Sequence, residues 1–345
     1  MVTILAFAFT LQPGALAGES PKPRTPPGKL SETGLYANIA TKTVARSNLK
    51  FSPQYPLWSD GATKARWISI PRGSSIDATK IDAFVFPVGT KFWKEFSFGK
   101  RVETRYLEKA TDGSWIYAAY AWDAKETDAY LVPVAGLPNH VEIAPGVRHD
   151  IPSVEDCKTC HEGEGRDIPL GFTALQLSPE RDPNAPHAEP RTPDMVTLKT
   201  LAERKLIVHV DDRFIRKPPV IPGSSPVARA ALGYMSANCG GCHNSGDPLS
   251  SVGMFLKRSA NEVAGAPERE MSPMFWRESK YQISGKAAGQ SFRIAPGDPS
   301  RSAVIVRMNT RNPYGQMPPL GTKLVDADAV KLITRWISED LAARK

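Results

Sequence analysis

Three stretches in the first half of the chain, KIDAFVFPVGTKFWKEFSF (80–98), KRVETRYLEKA (100–110) and SWIYAAYAWD (114–123), concentrate aromatic and β-branched residues. Turn signals at Val88-Gly89 and Asp112-Gly113 separate them, so each reads as a strand bounded by a reversal. Within RVETRYLE, Val102, Thr104 and Tyr106 alternate with charged or polar neighbours, the period of a strand with one wet face. Residues 31–150 are therefore predicted to form an antiparallel β-sandwich-like domain. Trp93, Phe96, Trp115, Tyr117, Tyr120 and Trp122 read as its core rather than as a ligand box, because aromatics supply much of the apolar burial in such sheets. PLWSDGATKARW (56–67) reads either as a turn packed on the sheet or as part of an interaction surface.

Past residue 150 the period changes to that of helices joined by Gly- and Pro-rich loops. PDMVTLKTLAERKLI (193–207) spaces Met195, Leu198, Leu201, Ala202 and Leu206 as a helix does, with Pro193 at its start. PVARAALGYMSANC (226–239) predicts a second helix. A last one begins near Asp326, a candidate N-cap, with Val330, Ile333, Trp336, Ile337 and Leu341 as its apolar stripe. The fold class expected is α+β and multidomain, with the β-domain followed by a mainly α region. That region divides into an incomplete segment over 151–222 and a more complete domain over 223–345.

The N-terminus adds a processing signal. An apolar run from Ile4 to Leu11 precedes Ala15-Leu16-Ala17, the small-x-small form of a signal-peptidase site. Residues 1–17 are read as a signal peptide and 18–30, with four prolines among thirteen residues, as a linker. The expected location is periplasmic. No later run approaches the ~20 apolar residues that span a bilayer, so no integral membrane segment is expected in the mature chain. The net charge of +8 is spread evenly: residues 28–150 carry 16 Lys and Arg against 13 Asp and Glu, and residues 151–345 carry 26 against 22. Without a basic stripe, nucleic-acid binding is not indicated.

All four cysteines lie in two copies of one arrangement, DCKTCH (Cys157, Cys160, His161) and NCGGCH (Cys239, Cys242, His243). In Cys-x-x-Cys-His the two thiols can add across the vinyl groups of haem, and the adjacent histidine reaches the iron as an axial ligand. Zinc is the rival reading. However, 78 residues separate Cys160 from Cys239, against the ~15 to 20 common between zinc pairs, and zinc leaves the two histidines unexplained. Two covalently bound haem c groups are therefore expected, whose propionates would offset part of the positive charge. For the second, Met317 in GQMPPLGT (315–322) is the expected sixth ligand. A lone methionine is usually core filler, but one placed before Pro318 and Pro319, a single helix from the end, fits a ligand loop. Met308 is its nearest competitor.

NCGGCH, IAPGDPSRSAVIVRMNT (294–310) and MPPLGTKLVDADAVKLITRWI (317–337) are similar to the class I cytochrome c domain. Their order after PLWSDGATKARW, FPVGTKFWKEFSF and ETRYLE resembles a bacterial family of exported dihaem c-type cytochromes with an N-terminal β-domain. The resemblance covers nearly the whole mature chain and implies haem binding and electron transfer outside the cytoplasm. The β-domain strings carry no chemistry to transfer.

The first motif lacks such a frame. Pro152 argues against a long helix before it, and no Met-Pro follows before Cys239, so its haem is expected between the β-domain and the complete cytochrome domain. Its sixth ligand is left among His149, His187, His209, His140, Met195 or an open position, and His149 could instead contact a propionate. The leading expectation is a dihaem electron carrier serving redox partner proteins, with the electron-accepting subunit of a dehydrogenase as one form. The alternatives are a haem enzyme, peroxidase- or oxygenase-like, open at the first haem and fed by the second, and a β-domain that serves chiefly as a docking module.

Overall fold

The structure is a computed structural model that describes residues 25–246 and 248–344. The expected signal peptide and the linker as far as residue 24 lie outside the described residues.

Strands fill the chain as far as residue 151: β1 (Tyr36–Asn38), β2 (Thr43–Val44), β3 (Leu49–Phe51), β4 (Thr63–Ser69), β5 (Ile76–Asp77), β6 (Lys91–Phe98), β7 (Lys100–Lys109), β8 (Trp115–Trp122), β9 (Ala129–Leu131), β10 (Leu137–Ala144) and β11 (Val147–Ile151). Helices α1 (Val154–His161) and α2 (Leu198–Glu203) follow, then a short strand β12 (Ile207–Val208) and helices α3 (Asp212–Arg216), α4 (Pro226–Asn238), α5 (Ala266–Met271), α6 (Ala303–Met308) and α7 (Ala327–Arg335). The fold is α+β with several antiparallel sheets.

The largest sheet has six strands in the order β3-β4-β6-β7-β8-β9. Because side chains alternate across a strand, its two faces have different partners. Trp93, Tyr106, Tyr120 and Trp122 pack with Leu30, Leu35 and Tyr36 on one face. Phe92, Leu107 and Tyr117 pack on the other with Phe172, Leu198, Leu201 and Phe214. The second layer is thus a helical and looped segment, where the sequence suggested the second sheet of a sandwich. β12 ties it down by pairing in parallel with β5.

The helix expected over 193–207 is only α2. Thr197 caps it by accepting from the Thr200 amide at 3.2 Å, so the helix starts five residues after Pro193, and Leu198 and Leu201 anchor it on the sheet. The C-terminal core lies between α4 and α7, where Leu232, Met235, Ile333, Trp336 and Ile337 are buried together. Asp326 caps α7 through the Ala329 amide at 3.0 Å.

Contacts at Gly233 and at PLWSDG help join this core to the N-terminal half. A Cβ on Gly233 of α4 would stand 2.1 Å from the Tyr55 ring, so only glycine lets the helix approach so closely. PLWSDG is the second joint. The Trp58 amide donates to Asn238 Oδ1 at 2.7 Å, its indole donates to the Leu324 carbonyl at 3.3 Å, and Asp60 accepts from the amides of Lys323 and Leu324. Among the described residues no helix is long and apolar enough to cross a membrane.

Candidate functional site

The β10–β11 hairpin delivers the chain to α1, which is itself the first motif. Ser153 and Asp156 form a reciprocal cap: the Ser153 hydroxyl accepts from the Asp156 amide and the Asp156 carboxylate accepts from the Ser153 amide. Pro152 therefore precedes the helix without interrupting it. Residues three and four apart share a helix face, so Cys157, Cys160 and His161 project together.

The His161 ring lies 5.7 Å from that of Tyr117, centroid to centroid, and its Nδ1 is hydrogen-bonded to the Ile168 carbonyl. A carbonyl only accepts, so Nδ1 carries the proton and Nε2 keeps its lone pair. Burial, with smaller contributions from Lys94 and Arg105, pushes the imidazole's pKa down to about 4. His161 is therefore a neutral ring with one nitrogen free to ligate.

The second motif begins where α4 ends. Cys239 is the C-cap residue, and the His243 amide donates to the Cys239 carbonyl at 2.9 Å. Asn244 Nδ2 then donates to the carbonyls of Gly240 and Gly241 at 3.1 and 3.0 Å, bracing the turn from beneath.

None of the four cysteines forms a disulfide. Burial raises Cys157 to about 11 and Cys239 to about 12, so both are protonated at neutral pH, unlike the thiolates that bind zinc or start disulfide exchange. Among the described residues no three His, Cys, Asp or Glu side chains gather as a metal site.

Both motifs open on one cavity of about 850 Å³, near the top of the ~300–1,000 Å³ range of ligand pockets. Cys157, Cys160, His161, Cys239, Cys242, His243 and Met317 all line it. The sheet supplies Phe92 and Tyr117 on one side, and the C-terminal core supplies Tyr234, Leu256 and Val304 on the other. The residues after each motif also touch. A Cβ on Gly165, whose φ is +75°, would lie 2.2 Å from Asn244 Oδ1. Lys257 Nζ donates to the Gly165 carbonyl and to Asp167, both at 2.8 Å. Burial raises Cys160, and Cys242 nearby adds to the effect.

Met317 reaches the cavity on a braced loop: its amide donates to the Arg307 carbonyl at 2.9 Å and its carbonyl accepts from Arg311 at 3.3 Å. Met308 also borders the cavity but is buried in the core cluster with α7.

The candidates for a partner to His161 lie far apart. His149 lines the cavity, buried, with Nε2 at 3.0 Å from Glu103 Oε1. His187 lies 2.9 Å from Asp326 and stacks on Trp58. His209 is exposed beside Asp77 at 3.1 Å. His140 and Met195 are outside the cavity lining.

Sequence reasoning missed Lys94, Arg105 and Glu103, whose charges alternate with Trp93, Thr104 and Tyr106 and so imitate a wet face. Arg105 and Lys94 line the cavity, and Glu103 is fully buried beside His149. It also left Trp58 and Asp60 without a role. Comparisons with protein-family models, with curated proteins and with solved structures gave no match.

The residues present fit two haem groups attached through paired thiols. Each motif places two cysteines outside any disulfide beside an imidazole, around a cavity lined in part by Phe92, Tyr117, Leu256 and Val304, and His161 is in the tautomer that ligation needs.

Proposed function

We propose that this chain is an exported, periplasmic dihaem c-type cytochrome that relays electrons between redox partner proteins, of the β-domain family its sequence resembles. Cys157 and Cys160 would attach the first haem and Cys239 and Cys242 the second, with His161 and His243 as axial ligands and Met317 completing the second site. Haem supplies a one-electron couple, and an imidazole with a thioether raises its potential.

The observation that carries this reading is the single cavity lined by both motifs. The chain's own part is to hold the two motifs against one another through Gly165 and Asn244, to keep His161 neutral, and to brace the Met317 loop from Asp60. The apolar part of the lining, with Phe92, Tyr117, Leu256 and Val304, would limit reorganisation around a change of charge.

One observation favours a second reading, a haem enzyme with an exchangeable position at the first site. Of the five residues considered as partners to His161, His149 alone lines the cavity, and its Nε2 is engaged by Glu103. Potentiometric titration followed by electron paramagnetic resonance separates the two. A carrier shows two low-spin centres and no peroxide turnover. Stoichiometric carbon monoxide binding to one reduced centre, together with rapid peroxide turnover, would replace the carrier with the enzyme.

A further inference from the structure

Three cations stand in a row across the cavity face of the large sheet. Arg66 of β4 is directly opposite Lys94 of β6, and Lys94 is directly opposite Arg105 of β7. All three border the cavity. Like charges directly opposite one another destabilise a sheet, so each requires a counter-ion.

The outer two have one. Arg66 lies 2.6 Å from Glu189, and Arg105 lies 2.7 Å from Glu103. Lys94 does not: its ammonium sits over the Phe96 ring at 4.8 Å, and no carboxylate pairs with it among the described residues. Burial, with Arg66, Lys64 and Arg105 adding to it, drives its pKa well below the ordinary lysine range. A carboxylate entering the cavity would reverse that shift and satisfy the row. The first motif is nearby, since Arg105 acts electrostatically on Cys157 and Cys160, and Lys94 on His161.

We propose that Lys94, at the centre of this row, binds a propionate carboxylate of the porphyrin attached at Cys157 and Cys160. The inference rests on the haem reading. It makes the sheet part of the first haem's seat and gives the β-domain a role in setting that centre's potential. Arg66 and Arg105, each paired with a carboxylate, hold the local potential positive. A charge-assisted contact of this kind is about twice as strong as a neutral one.

The test is the reduction potential of each centre in wild type, Lys94→Gln and Lys94→Arg, with haem counted first by intact mass. In Lys94→Gln, loss of a partly buried positive charge lowers the equilibrium constant for reduction at one centre about tenfold, which is about 59 mV for a one-electron couple. Lys94→Arg restores it, with the resonance signature of both centres unchanged. Unaltered potentials in a Lys94→Gln protein carrying two haems would overturn the proposal. So would a new axial-ligand signature in Lys94→Arg, which would make the lysine an iron ligand. A spectral shift on adding succinate to wild type would assign the site to a dissolved carboxylate and equally overturn it.

Should Lys94→Gln fail to mature, wild type and Lys94→Arg carry the test at alkaline pH. The lysine loses its proton and the potential falls, while the arginine keeps its charge and the fall is absent. The groups facing position 94 are Lys64, Arg66 and Glu189, Arg105 with Glu103, and His161, and they are common to both proteins. Identical alkaline profiles would refute the contact. A wild type without haem sinks this inference and the cytochrome reading together, and the mass reveals it before any potential is measured.

Discussion

Asp60 accepts hydrogen bonds from the backbone amides of Lys323 and Leu324, each 2.8 Å long, across more than 260 residues of sequence. Asp60 is 5% exposed and adopts a positive φ of 54°, so a turn in the β-region fixes the loop that follows Met317. An unsatisfied buried donor costs about 1–3 kcal/mol. Asp60→Ala is accordingly expected to destabilise the protein by about 2 kcal/mol or more in urea denaturation. It should also weaken the thioether charge-transfer band at lower denaturant than in wild type. An unchanged midpoint would show that the loop is held from elsewhere.

Met317→Ala is expected to lower the potential of one centre or leave it high-spin, while the other is untouched. His243→Ala should disrupt the same centre. Resonance spectra of both oxidation states check this, and a Met317→Ala spectrum identical to wild type would transfer the assignment to another residue, with Met308 the first to examine.

Gly165→Ala introduces a methyl group that would lie 2.2 Å from Asn244 Oδ1, at a φ of +75°. The neighbouring side chain has to move, and the backbone is strained for an L-residue. A loss of about 1–3 kcal/mol is expected, together with slower equilibration between the two centres after flash reduction of one. Unaltered stability and kinetics would mean that the contact between the motifs matters to neither.

Glu103 provides a pH dependence. Burial alone would raise its pKa, but Arg105 and His149 outweigh burial and hold it at about 2 against the ordinary 4.5. A carboxylate depressed on folding contributes stability that is complete above its unfolded pKa and is lost as the pH falls toward the folded one. The window therefore runs downward from 4.5 to about 2, and the contribution is on the order of 3 kcal/mol. Urea denaturation across this range should show the loss in wild type and its absence in Glu103→Gln. Parallel curves would contradict the pairing.

The parts of this protein legible in its sequence are those with short-range causes. A spacing of two residues and an adjacent histidine marks each motif, and α4 and α7 declare themselves through Pro226 at the helix start, the Asp326 cap and a stripe that includes Ile333 and Ile337. Long-range causes were not legible. Glu103 and Arg105 alternate with Thr104 and Tyr106 as a solvated strand face would, because nothing local reveals that His149 of the β10–β11 hairpin comes to lie against Glu103. The shared cavity likewise depends on Gly165 meeting Asn244, and the footing of the Met317 loop on Asp60. In the helix expected over 193–207, Thr197 is a stronger start signal than Pro193, and period alone does not rank the two.

Whether haem is bonded to this polypeptide is decided by the intact mass of the mature protein, made with a working haem-attachment system. The expected product is a polypeptide heavier by two haem groups that survive denaturation. Replacing Cys157 and Cys160 with serine is expected to remove one of them, and replacing Cys239 and Cys242 to remove the other. The bare polypeptide mass, or attachment that is indifferent to those cysteines, would contradict the cytochrome reading.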